Sequence, residues 1–272
     1  SYILANRPPN KKSKWLAVKV SWIMAQAHKK VYKTIHKIDP NAKVGLAHNV
    51  ASFDAYHHHS LIEEFAVWFL DKSMNHWIYY FTGIKTHDFL GLNYYFNQYI
   101  SFSGEKARLP SIVDISTTKK DVSDLGWEIY PEGMFDIIMD FSDYHLPIYI
   151  TENGIASTND DRRVRFLLSY LKEIYHAIAA GANVRGYFHW SLIDNFEWNE
   201  GFGPRFGLIE VDYNNQKRIP RPSAFVYSDI IQHNAIPHHL LKLLGHGIHV
   251  PDALEIIKDL NCRNCKVQIK PK

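Results

Sequence analysis

The sequence predicts an α/β protein, and three observations carry that prediction. Short apolar runs rich in β-branched residues recur between longer segments whose apolar residues follow helical spacing. The pairing of run and segment repeats four times, the pattern of parallel strands joined by helices. One run, Leu146-Pro147-Ile148-Tyr149-Ile150, closes on Thr151-Glu152-Asn153-Gly154, which reads as a buried strand delivering an acid at its C-terminal end. A closed (β/α)8 barrel needs eight strand–helix units, so this chain accounts for about half of one.

The elements follow in order. Residues 15–38 have helical spacing and stop at Asp39-Pro40-Asn41, and residues 43–48 form a short strand. Residues 60–82 carry aromatics at helical spacing, 88–95 form a second strand, and 101–125 read as a long irregular loop. A helix over 131–144, a strand over 146–151, a helix over 161–180 ended by Gly181 and a strand over 184–190 come next. Residues 222–236 form the last helix of this barrel-like part, which spans 1–236. The remainder, 237–272, has apolar residues at helical spacing and is predicted to form a tail of two short helices.

Composition narrows the function classes. Hydrophobic residues make up 46% and charged residues 22% of the 272, as in a globular protein with a substantial core. A formal charge of +3 gives no electrostatic case for nucleic acid or an anionic membrane. Lys11, Lys12 and Lys14, and the basic residues of 266–272, read as solvated ends. The 2 cysteines, Cys262 and Cys265, form a lone CxxC in the tail, without a second pair or a βαβ context. His246 and His249 nearby read as a surface cluster, so no metal is expected. With no disulfide framework, signal peptide or spanning segment in the sequence, a cytoplasmic location is the expectation.

Four motifs carry the chemistry. They are Phe89-Leu90-Gly91-Leu92-Asn93-Tyr94-Tyr95, the stretch Gly126-Trp127 to Gly133, Thr151-Glu152-Asn153-Gly154, and a long segment from Gly186 to Tyr213. The last includes Trp190, Asp194-Asn195-Phe196-Glu197-Trp198 and Arg205-Phe206. Taken singly they stay ambiguous. Glu152 is either a strand-end catalyst or an acid that caps the next helix or pairs with a lysine. Tyr95 and the Trp and Phe residues, taken alone, read as core residues, and Glu197 is an equally good surface acid.

Together, in this order and spacing over residues 1–236, the motifs resemble family 1 glycoside hydrolases, the retaining β-glucosidases and β-galactosidases, and are most similar to the archaeal-type β-glycosidases. The resemblance implies a (β/α)8 barrel of which the chain carries about the last four units, from the helix after the fourth strand, as in a truncated or split sequence. It implies retaining hydrolysis of β-glycosides without a cofactor. By resemblance Glu152 is the nucleophile, Tyr95 a hydrogen-bond donor to it, and Asn93 a polar contact near the catalytic centre. Trp127 is then the aglycone-side platform and Trp190 the platform under the non-reducing sugar. Glu197 and Trp198 grip that sugar's ring, and Phe206 walls its subsite.

The departures are as informative. The family's acid/base glutamate lies in an Asn-Glu-Pro motif that this sequence lacks, and the family's Gln, His and Arg from the first strands are absent as well. Two further readings therefore stand beside catalysis. One is a sugar-binding remnant that cannot turn over. The other is an interaction chain that self-associates or pairs with a separate N-terminal half barrel, because half a barrel leaves two strand edges open. The expected partners are a β-glycoside or oligosaccharide and one of these protein partners, with neither nucleic acid nor membrane.

Overall fold

The computed structural model describes residues 9–57, 59–102, 111–112 and 121–244. Helix α1 (Lys14–Ile38) starts at Ser13, whose hydroxyl accepts from the Leu16 N–H at 3.2 Å, and ends before Pro40. Then come strand β1 (Gly45–Ala55), helices α2 (Leu61–Met74) and α3 (Trp77–Thr82), strand β2 (Phe89–Ser101) and the two-residue β3 (Ser111–Ile112). Helix α4 (Glu132–Ser142), strand β4 (Ile148–Asn153), helix α5 (Asp160–Ala179) and strand β5 (Val184–His189) complete the alternation. A hairpin of β6 (Ile209–Asp212) and β7 (Lys217–Pro220) leads into α6 (Pro222–His233).

Strands β1, β2, β4 and β5 lie side by side in that order and pair in parallel, so the sheet follows the sequence. This is the progression of a (β/α)8 barrel over four of its units. Strands β1 and β5 form the two edges of this parallel run, as the sequence predicts for half a barrel. Among the described residues no helix is long and apolar enough to cross a membrane.

Several boundaries differ from expectation. Strands β1 and β2 run on to Ala55 and Ser101, because Asn49–Ala55 keep pairing with β2 across a bulge between Val50 and Ser52 despite their mixed polarity. The segment 60–82 is two helices instead of one. Asn75 closes α2 and turns its amide onto β1, accepting from the Ala51 N–H at 3.1 Å and donating to the Ala51 carbonyl at 2.8 Å. The loop assigned to 101–125 contains β3, antiparallel to the end of β2. The β6–β7 hairpin went unpredicted; its turn is held by the Asp212 carboxylate, which accepts from the Asn214 N–H and the Asn215 amide. Helix α6 stops at His233 because Asn234 adopts a left-handed conformation, φ 47°. Residues 238–244 form 3₁₀ turns. The rest of the tail, with His246, His249, Cys262 and Cys265, lies outside the described residues.

The described residues divide into two compact units. One holds the chain up to Asn153 together with Ile174–His189; the other holds Gly154–Glu173 and the residues from Trp190 onward. In the first, Leu90, Leu92 and Tyr94 of β2, Ile148 and Ile150 of β4, and Met134, Ile138 and Phe141 of α4 are fully buried. Each such side chain contributes about 1.5–3 kcal/mol on burial, which fixes the face each strand turns to the helical layer. Gly133 in the first turn of α4 leaves room for Tyr94, since a Cβ there would lie 2.1 Å from the Tyr94 hydroxyl.

Glu63 ties α2 to the ends of two strands. Its buried carboxylate accepts from the His57 backbone N–H at 2.8 Å, the His57 ring at 2.9 Å and the Phe102 N–H at 3.1 Å. Burial alone pushes this carboxyl up, but the three donors outweigh it and hold the pKa down at about 2. A depressed folded-state pKa stabilises above the unfolded value of 4.5 and is lost as pH falls toward 2. Urea titrations at pH 7 and pH 3 are expected to show the wild type losing more stability on acidification than Glu63→Gln. Allowing for solvent screening at this rim, the difference should be about 1–2 kcal/mol. Equal losses would remove Glu63 as the responsible group.

Candidate active site

The site residues of the first unit gather where the pairing of β2 with β4 becomes irregular. Leu92 stands opposite Ile150, and the next pair is Asn93 with Glu152, so Thr151 is an extra residue bulged out of the ladder. Side chains bridge the strands at this point. The Tyr95 hydroxyl donates to Glu152 Oε2 at 2.7 Å, and the Thr151 hydroxyl donates to Asn93 Oδ1 at 2.6 Å. Glu152 Oε1 is the carboxylate oxygen that this phenol does not engage. Trp127 stands edge-on to Tyr95, centroids 5.7 Å apart, and tilted against Phe96 at 5.3 Å. Its backbone N–H donates to Ser123 Oγ at 3.1 Å. Asn93, Tyr95, Trp127 and Glu152 are all half-buried.

Asn153, the last residue of β4, is fully buried. Its amide donates to the Tyr94 carbonyl at 2.7 Å, and its Oδ1 accepts from the Tyr187 hydroxyl of β5 at 3.0 Å.

Trp190, Glu197, Trp198 and Phe206 belong to the second unit. There Gly154 lies so close to Trp190 that a Cβ would fall 1.8 Å from the Trp190 carbonyl oxygen, so only glycine fits. Trp190 and Glu197 are half-buried, Trp198 is 67% exposed at the start of a 3₁₀ turn, and Phe206 is buried. Glu197 is held by its own loop: its N–H donates to the Gly201 carbonyl at 2.7 Å, and its Oε2 accepts from the Asn195 amide at 3.3 Å.

That loop is organised by Asp194, whose side chain is wholly buried. Arg221 donates to both its oxygens, at 3.0 and 2.9 Å, and Arg205 donates to Oδ2 at 3.2 Å. The Gly207 and Val211 N–H groups donate at 2.9 and 3.3 Å. Burial pushes the Asp194 carboxyl up, and these donors, Arg221 first, outweigh it and hold the pKa below the usual carboxylate value. The network therefore keeps a charged aspartate at the root of the segment bearing Trp190, Glu197, Trp198 and Phe206.

Among the described residues, Asp71, His76 and Asp140 have the spacing of metal ligands, with donor atoms within 4.8 Å of one another. The Lys72 ammonium already lies 2.9 Å from Asp71 and 3.2 Å from Asp140, and His76 Nδ1 meets the Tyr144 hydroxyl at 2.7 Å. Burial pushes the His76 pKa down, but the hydrogen bonds and charges of Asp140 and Asp71 overcome this and raise it. The group is a compensated ion-pair cluster.

A parallel sheet following chain order, with a carboxylate at a strand end, has the architecture of part of a (β/α)8 barrel, whose sites lie at that end of the strands. The profile described as glycosyl hydrolase family 1 matches residues 81–236. A β-galactosidase of Sulfolobus acidocaldarius is 34% identical over 264 residues, covering 88% of this chain and 52% of that enzyme. β-Glucosidase A of Thermotoga maritima is 38% identical over 160 residues, covering 55% of this chain and 35% of its own. The solved β-glycosidase from Pyrococcus horikoshii superposes with a TM-score of 0.81 at 34% identity, over 90% of this chain and 60% of that one. The chain belongs to glycosyl hydrolase family 1. It spans about a third to a half of the length of the curated relatives it matches.

The sequence motifs mark the groups expected to meet a sugar and leave unmarked the groups that hydrogen-bond to their strands and loop. Thr151, Asn153 and Tyr187 had no assigned role, and neither did Asp194 with Arg205 and Arg221. For Asp194 the available signal was an acid directly after the apolar pair Leu192-Ile193, with arginines downstream lacking any assigned role. Asp194→Ala would strand the largely buried Arg221 guanidinium and is expected to cost about 3–5 kcal/mol in chemical denaturation. A loss below 1 kcal/mol would mean the network does not hold the loop.

Proposed function

We propose that this chain provides the nucleophile side and sugar-binding side chains of a retaining β-glycosidase acting on β-glucosides, β-galactosides or related β-glycosides. The observation that carries this reading is the hydrogen bond from Tyr95 to Glu152 Oε2 at 2.7 Å, on a carboxylate at a barrel strand end. A nucleophilic carboxylate needs one oxygen oriented and the other available, and the phenol supports that division. Glu152 Oε1 attacks the anomeric carbon, and the bond to the aglycone oxygen breaks with its electron pair leaving on that oxygen. Water then displaces the carboxylate, so two inversions give net retention. Asn93, Trp127, Trp190, Glu197, Trp198 and Phe206 are the proposed sugar contacts. Aromatic faces cover sugar C–H surfaces, and the Glu197 carboxylate accepts strongly from hydroxyls.

The missing Asn-Glu-Pro motif shapes the expected kinetics. A positioned acid/base contributes about 10²–10⁴ in rate, so leaving groups that depart unprotonated suffer least. With dinitrophenyl β-glucoside the chain is expected to release a burst of about one equivalent of phenolate and then stall at the glycosyl-enzyme. Azide, which needs no general base, should restart turnover and yield the β-glycosyl azide. Glu152→Gln should abolish the burst, and Tyr95→Phe should slow it about tenfold, as for loss of one charge-assisted hydrogen bond. Absence of burst and azide product, with the glucoside still bound, would overturn catalysis in favour of a sugar-binding role.

A further inference from the structure

We propose that Asn153 is a positioning residue for the Tyr95–Glu152 pair, oriented for that task by the Tyr187 hydroxyl; this rests on reading Glu152 as the nucleophile. At the bulge, three successive residues of β4 reach three successive residues of β2 through side-chain hydrogen bonds. Thr151 donates to the Asn93 side chain, Glu152 accepts from Tyr95, and Asn153 donates to the carbonyl of Tyr94 between them. That carbonyl belongs to the peptide leading into Tyr95, so the Asn153 amide fixes the backbone from which the phenol projects. The backbone register shifts here, and the side-chain bonds reinforce the two strands at the irregularity.

The direction of each bond follows from chemistry. A carbonyl oxygen only accepts, so the Asn153 NH₂ must face Tyr94. Its Oδ1 then faces Tyr187, whose hydroxyl must donate. Asn153 is fully buried, and a buried amide missing either partner would be strongly penalised. The amide is thus locked between β2 and β5 in one orientation. Aspartate, though the same shape, sets a carboxylate against a carbonyl when ionised and can donate to it only when protonated, so it replaces the amide poorly at neutral pH. The 2.7 Å Tyr95–Glu152 contact is sensitive to small shifts, because displacing a catalytic group by about 1 Å can cost about 100-fold in rate.

Two readouts test this. The first is covalent capture by dinitrophenyl 2-deoxy-2-fluoro-β-glucoside, separated into a limiting rate constant and a dissociation constant. The second is the ¹⁹F resonance of 3-fluorotyrosine placed at position 95, which reports its hydrogen bond without any reaction. Glu152→Gln provides the reference shift for a lost carboxylate partner. Asn153→Asp is expected to lower the limiting rate about tenfold, change the dissociation constant less than about twofold, and move the ¹⁹F resonance toward the reference. Tyr187→Phe, which leaves the amide in place but unlocked, should have a smaller effect of the same kind. It decides the matter if Asn153→Asp fails to fold. Wild-type capture rates with an unmoved resonance overturn the proposal. Slower capture with an unmoved resonance also overturns it, since the effect would not run through Tyr95. If the wild-type chain is not captured at Glu152, the nucleophile reading fails, and the resonance alone decides whether Asn153 positions Tyr95.

Discussion

Strands β2 and β4 shift register at Thr151, one residue before Glu152, and side-chain hydrogen bonds there add to the backbone pairing of Asn93 with Glu152. The constraint is a general one. A carboxylate at the end of a buried parallel strand is oriented by no backbone bond of its own and is not yet in open water, so its orientation comes from neighbouring donors. The Tyr95 phenol fills that need, and its own backbone is tied to β4 through Asn153. The proposed nucleophile and the bulge beside it are therefore one feature: the extra residue brings Glu152 opposite Asn93.

The second unit solves a different problem with the same means. The segment from Trp190 to Tyr213 has little regular structure, yet the proposed function asks it to hold aromatic and acidic groups in fixed orientations. A single buried aspartate accepts from two arginines and two backbone N–H groups and so replaces a secondary-structure scaffold. Such a charge is tolerable only because every one of these partners is present, and this makes the loop an all-or-none assembly.

Local pattern made part of this legible in the sequence. The four strand–helix units follow from periodicity, and Glu152 stands out because a β-branched run ends on it. Tyr95 was named through resemblance to a family, since a tyrosine in an apolar strand otherwise reads as core. What the sequence concealed is non-local. Asp194 meets arginines 11 and 27 residues away, and the Asn153 amide spans strands whose chain separation is 59 residues on one side and 34 on the other. The boundaries failed for a related reason: Asn75 ends α2 by bonding to Ala51, a partner no window of helical spacing contains.

The claim on which the rest depends is that Tyr95 and Glu152 are energetically coupled, and a double-mutant cycle measures that directly. The wild type, Tyr95→Phe, Glu152→Gln and the double variant would be unfolded in urea at neutral pH. The account predicts a coupling of about 1.5–3 kcal/mol, the range for a hydrogen bond to a charged group. Additivity to within about 0.5 kcal/mol would contradict it, leaving the two side chains neighbours without interaction.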